Sequence, residues 1–247
     1  MRAVPAGPVI GLTALLALLA ALAGTVGLGG AGWLAGAGCG VVGSLLLARS
    51  LARHGVAVLG PADRVTLTRA VLVGGVAALT ADSSGGPAPV LVALAAVALV
   101  LDRVDGWVAR RTFTSSAFGA RFDLDVDAFL ILVLSVQVTR SLGPWVLLIG
   151  LARYAFVAAG WWLAWLRAPA PARYWCKVVA ATQGAVLTVV AAGVVPGYLG
   201  VAAVAVASVL LAESFGREVW EKSRRRSVEL EPNRVVVTLL GKQVRAG

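Results

Sequence analysis

Between Pro8 and Val26, and again between Ala31 and Ala48, the chain carries no charged side chain. A run of that length, coiled as a helix, crosses about 30 Å of hydrocarbon. Lipid offers the backbone no hydrogen-bond partners, so such segments are driven into helices whose amides are satisfied internally. The remainder has the same character: 59% of the 247 residues are hydrophobic and 14% charged, with a mean hydropathy of +0.88, too apolar for a soluble domain of this size. Further apolar segments at Val65 to Ala81, Val90 to Arg110, Ala117 to Thr139, Trp145 to Leu166, Lys177 to Val195 and Tyr198 to Ala212 bring the expected number of helices to eight. The fold class expected is an all-α, polytopic integral membrane helical bundle. The small residues near Ala23 and the preceding Arg2 also fit a cleaved signal peptide. A second apolar run follows at once across a glycine-rich turn, however, so a helical hairpin is the better reading.

Into this apolar chain the stretch LDRVDGWVARRTFTSSAFGARFDLDVDAFL, Leu101 to Leu130, drives five aspartates. Carboxylates are costly in a membrane protein and mark function. Asp102 and Asp105 lie about 60° apart on one helix face, and Asp123 and Asp127 about 40° apart on another. Facing each other, the two pairs make a cage of four carboxylates. Like charges that close stay ionised only with cations between them, and hard oxygen ligands suit Mg²⁺, Mn²⁺ or Ca²⁺. Asp125 is about 200° from Asp123 and is expected to meet a neighbouring helix or water. Gly106, one turn after Asp102, and Gly119, one turn before Asp123, leave room for a ligand or a facing backbone. Arg110 offers a guanidinium to phosphate.

From Asp102 to Asp127 the chain matches in full D-x2-D-G-x2-A-R-x8-G-x3-D-x3-D, and in this it resembles the CDP-alcohol phosphotransferases, also called CDP-alcohol phosphatidyltransferases. The resemblance implies a six-helix core, here with an added N-terminal hairpin. It also implies a donor such as CDP-diacylglycerol, an alcohol acceptor, release of CMP, and a homodimer. By resemblance Asp102, Asp105 and Asp123 are metal ligands, and Asp127 is the general base that also touches metal. The expected cofactors are two divalent ions, Mg²⁺ or Mn²⁺. Gly106, Ala109, Arg110 and Gly119 match positions associated with the CDP moiety. Thr66, Leu67, Thr68 and Arg69 resemble the N-x-L-T-x2-R opening of the family's first core helix, which adds Thr68 and Arg69 to the donor contacts, with the alternative that Arg69 snorkels to the surface. The family's asparagine is replaced by Arg64 or a neighbour.

For the acceptor, three cationic residues stand out: Arg153 within a span, Arg173, and Lys177. The segment from Cys176 to Gln183 is similar to the family's G-K-x-K-T-x2-Q, with Cys176 in place of the glycine and Val179 in place of the second lysine. These three favour a phosphorylated acceptor, glycerol 3-phosphate or an inositol phosphate. The plain alternatives are that Arg153 pairs with an aspartate of the cluster and that Arg173 and Lys177 sit at the interface.

The net charge of +10 does not point to nucleic acid, because the basic residues are scattered at segment ends. Arg2, the Arg49 to Arg64 loop, Arg110 and Arg111, the Arg167 to Lys177 loop and the tail fall on one side; only Arg140 lies opposite. By the positive-inside rule both termini and the carboxylates face the cytoplasm of a multi-pass cell-membrane protein. Cys39 and Cys176 form no metal or disulfide pattern, lone His54 carries no role, and the tryptophans suit an interfacial belt. The organisation expected is a hairpin at 1–50, the family core at 51–216 and a basic, lipid-facing tail at 217–247. Two rivals remain: an intramembrane prenyltransferase acting on a lipid diphosphate, and a cation transporter using the carboxylates.

Overall fold

The structure is a computed structural model and describes residues 6–56, 58–82, 88–112, 116–163 and 174–244. Its elements are α1 (Ala6–Val26), α2 (Gly30–His54), α3 (Pro61–Ala81), α4 (Ala88–Thr112), α5 (Ala117–Leu142), a 3-10 turn (Pro144–Val146), α6 (Leu147–Trp162), α7 (Tyr174–Ala191) and α8 (Gly197–Val244). Among the described residues there is no strand. By length and composition α1, α2, α3 and the Gly197–Glu221 part of α8 qualify as membrane spans. The charges on α4 and α5 dilute their apolar character, yet at 25 and 26 residues both have the length to cross.

The helix starts follow local chemistry. Helix α3 opens with Pro61 in its first turn, and Asp63 accepts a hydrogen bond from the Gly60 amide at 3.0 Å. Helix α5 is capped by Ser116, whose hydroxyl accepts from the Gly119 amide at 2.9 Å. Helix α2 ends at Gly55, which adopts the left-handed conformation at φ 65°.

Helix α3 is the hub, packed against α1, α2, α4 and α5. The hairpin grips it through small residues, which let apolar helices approach closely in lipid. Added Cβ atoms at Gly36 and Gly40 of α2 would stand 2.7 Å from the side chains of Leu19 and Leu15 on α1, and Gly36 also abuts Ala78 of α3. The Gly29 amide in the hairpin turn donates to Asp82 at the end of α3, at 2.7 Å. At the same end Arg140 donates to the Thr80 carbonyl at 2.5 Å and so ties α5 to α3.

Several expected boundaries shift. The basic segment expected as a loop from Arg49 is helical through His54, because nothing before Gly55 breaks the helix. Helix α8 runs from its span through the tail residues to Val244. The turn at residues 83–87 and the basic loop at 164–173, which includes Arg173, lie outside the described residues.

The crossing of α5 and α6 offers a test of this packing. A Cβ at Gly150 would stand 2.8 Å from the Leu132 Cα, so one helix backbone must move. Gly150→Ala is expected to cost about 1–3 kcal/mol, read as a lower melting temperature in detergent. Gly24→Ala, with nothing within 4 Å, is the control and should be neutral or stabilising. A Gly150→Ala protein that melts at the wild-type temperature would contradict the close crossing.

Candidate active site

The last turns of α4 and the first turns of α5 bring Asp102, Asp105, Asp123 and Asp127 together, as their helical spacing requires. What fills the space behind them is Arg69 of α3. Its Nη1 donates to Asp105 Oδ2 at 2.6 Å and Asp123 Oδ1 at 2.5 Å. Its Nη2 pairs with Asp102 Oδ1 at 3.0 Å and with Asp127 Oδ1. Its Nε donates to the Ala98 carbonyl at 3.2 Å. Thr66, one turn earlier on α3, donates to Asp105 Oδ2 at 3.3 Å.

The arrangement is layered. The Arg69 side chain is 0% exposed and that of Asp105 5%, whereas Asp102, Asp123 and Asp127 are 22–24% exposed. In front of the carboxylates opens a cavity of about 310 Å³ between α4, α5 and α7. One face of α4 forms a wall of Leu99, Asp102, Arg103, Gly106 and Arg110; α5 adds Asp123, Leu124, Asp127, Leu130 and Ile131; α7 adds Val178, Ala181 and Gly184. The Arg110 guanidinium folds back over Gly106, where a Cβ would stand 3.3 Å from its Nη1. Gly119 serves another contact: a Cβ there would stand 2.5 Å from Asp63 Oδ1, so it admits the crossing of α3 and α5.

The donor set fits a divalent cation. One oxygen from each of Asp102, Asp123 and Asp127 lies within 4.8 Å of the others. Ligands on opposite sides of a Mg²⁺ ion stand about 4 Å apart, and all-oxygen ligation is what such ions select. Four carboxylates share one guanidinium, which leaves acidic oxygens facing the cavity.

The other expected residues divide. Gly106 and Arg110 line the cavity; Ala109, on α4, does not. Thr68 is exposed and donates to the Arg64 carbonyl at 3.1 Å. Arg69 is buried rather than snorkelling to the surface. Arg153 pairs with Asp125 at 3.4 Å, both lining a separate, mostly apolar cavity of about 710 Å³ bounded by α1, α2, α3, α5 and α6. The helical offset that turns Asp125 away from Asp123 thus supplies a partner for Arg153. Lys177 lies in the first turn of α7, its side chain outside the described part, and Arg173 lies outside the described residues. Gln183 is buried and donates to the Ala207 carbonyl of α8 at 2.5 Å.

Asp63 and Arg103 have no place in the sequence expectations, and Thr66 stands there only as part of the α3 opening. Thr66 and Asp63 belong with Arg69 to a buried polar stripe at three-residue spacing on α3, a signal that was present in the sequence. Arg103, inside the D-x2-D frame at a position the pattern leaves open, lines the cavity.

A family model described as CDP-alcohol phosphatidyltransferase matches residues 59–211, well over half of the chain. Nothing matches among curated proteins or among solved structures.

Metal binding is directly measurable. Mn²⁺ should bind the purified protein in electron paramagnetic resonance titrations without any substrate. Asp123→Asn should weaken binding at least as much as the ~10–100-fold loss typical of removing a partner behind a ligand. Wild-type affinity in Asp123→Asn would remove this carboxylate from the metal site.

Proposed function

Because the chain belongs to the CDP-alcohol phosphatidyltransferase family, we propose that it transfers a phosphatidyl group from CDP-diacylglycerol to an alcohol acceptor and releases CMP. The observation that carries this reading is the carboxylate cavity with Arg103 and Arg110 on its wall and an apolar far end at Leu99, Leu130 and Ile131. Such a space suits a molecule with a diphosphate at one end and hydrocarbon at the other.

Divalent ions, two of Mg²⁺ or Mn²⁺, held by Asp102, Asp105, Asp123 and Asp127, supply the positive charge that lets a diphosphate approach four carboxylates. Arg110 offers its guanidinium to the donor phosphates, and the absent side chain at Gly106 lets it lie flat against α4. Ala109 and Gly119 are CDP positions by resemblance alone: Ala109 lies off the cavity wall and Gly119 packs against Asp63. Asp127, partly exposed to the cavity, accepts the proton of the acceptor hydroxyl. The acceptor oxygen bonds to the phosphorus bearing the diacylglycerol group, the bond from that phosphorus to the CMP oxygen breaks, and its electron pair leaves with CMP.

The acceptor we favour carries a phosphate of its own, as in glycerol 3-phosphate or an inositol phosphate. Support comes from Arg103 beside Arg110 and from Lys177, the residue before cavity-lining Val178. Arg153 would have to exchange its Asp125 partner to join them, and Arg173 belongs to the same cationic set by sequence. The concentration of Lys and Arg at the carboxylate end supports a cytoplasmic active site, with both termini on that side. A homodimer and a hairpin–core–tail division at residues 50 and 216 belong to the same reading.

The decisive assay follows CMP release from CDP-diacylglycerol with Mg²⁺ or Mn²⁺ against a panel of acceptors. Release dependent on a single phosphorylated acceptor is expected. Asp127→Asn should lower turnover by about 10²–10⁴-fold while donor binding persists. A fully active Asp127→Asn enzyme would overturn the base assignment, and no release from folded protein with any acceptor would overturn the donor.

A further inference from the structure

We propose that Arg69 is a positioning residue that builds the carboxylate cage and does not contact the donor. The first observation is saturation. A guanidinium has five N–H donors, and here five acceptors take them: Asp102, Asp105, Asp123, Asp127 and the Ala98 carbonyl. None is left for a phosphate. The second is place. Arg69 is fully buried beneath the carboxylates and is not among the residues lining the cavity, so a donor in that cavity meets the aspartates and Arg110 first.

The third observation concerns which carboxylates each nitrogen joins. Nη1 links Asp105 of α4 to Asp123 of α5, and Nη2 links Asp102 of α4 to Asp127 of α5. The planar fork therefore clamps the two helices at two rungs from behind and sets the spacing of the oxygens that face the cavity. Nε, held by Ala98, fixes the plane of the fork against α4. Lysine carries the same charge but as a point with no fork, and it cannot hold both rungs at once. Groups that orient ligands in this way are worth about 10–100-fold in metal affinity.

This inference rests on the metal-site reading of the aspartates, and its test needs no substrate. Mn²⁺ affinity is measured by paramagnetic resonance titration of the full-length wild type, Arg69→Lys and Arg69→Gln, each shown monodisperse in detergent. Arg69→Lys keeps a paired buried charge and is the variant expected to fold; Arg69→Gln removes the charge. Both should bind Mn²⁺ about 10-fold or more weakly. In the transfer assay Arg69→Lys should lose kcat, with the donor KM changed by less than about 3-fold. Wild-type Mn²⁺ affinity together with a raised donor KM would make Arg69 a donor ligand and overturn the proposal. Full recovery of Mn²⁺ affinity by lysine would overturn it as well, since charge alone would then suffice. If Mn²⁺ binding behaves as expected but no CMP is released by the wild type, the transfer reading fails and the positioning role stands.

Discussion

The polar end of this bundle depends on one guanidinium meeting four carboxylates. An isolated aspartate in an apolar helix bundle is costly, and four within a few ångströms repel one another as well. Arg69 reduces that repulsion from inside the protein. Clustered carboxylates call for cations, and the cation nearest to hand is part of the chain. Removing one partner from a buried charge network leaves the others uncompensated, typically at about 3–5 kcal/mol, so α3, α4 and α5 are coupled through this single side chain. The acidic oxygens that face the cavity are available there to a divalent ion.

That coupling gives the N-terminal hairpin a structural sense. Thr66 and Arg69 face α4 and α5, while Leu67, Gly74, Gly75 and Ala78 on the other side of α3 receive Gly11, Leu15, Leu18 and Gly36 of α1 and α2. The helix that carries a fully buried arginine is thereby surrounded by protein. The hairpin precedes the residues matched by the family model, which begin at 59. Its glycines let it seat closely on a helix whose position the active site depends on.

Much of this was readable from periodicity. Runs without charge marked the helices, because lipid leaves the backbone no other structure. The offsets of Asp102, Asp105, Asp123 and Asp127 identified the two faces that meet. What stayed hidden were contacts between residues distant in the chain. Nothing near Arg69 says that its carboxylate partners lie more than thirty residues on; the visible clue was the spacing of Asp63, Thr66 and Arg69, which share a face that Thr68 does not. Of the two roles open to Arg153, acceptor contact or ion pair, the pair is the one formed, with Asp125 on another helix. The helix end expected before Arg49 lies instead at His54, because composition changes there without a breaker.

The cavity combines these elements along one axis. On α4, Leu99, Asp102, Arg103, Gly106 and Arg110 follow one another toward the helix end, so the wall passes from apolar to acidic to basic within three turns. Leu130 and Ile131 continue the apolar end on α5, and Gly184 of α7 closes on Leu99, where an added Cβ would stand 2.7 Å from the leucine methyl. A water-soluble nucleotide would leave that apolar end unused, and a plain hydrocarbon would leave the carboxylates and arginines unmatched. Only an amphiphile with its phosphates near the helix ends and its chains toward the bilayer satisfies the whole wall. The same gradient is what the proposed transfer needs, with carboxylate and guanidinium meeting between the apolar end of the wall and the helix ends.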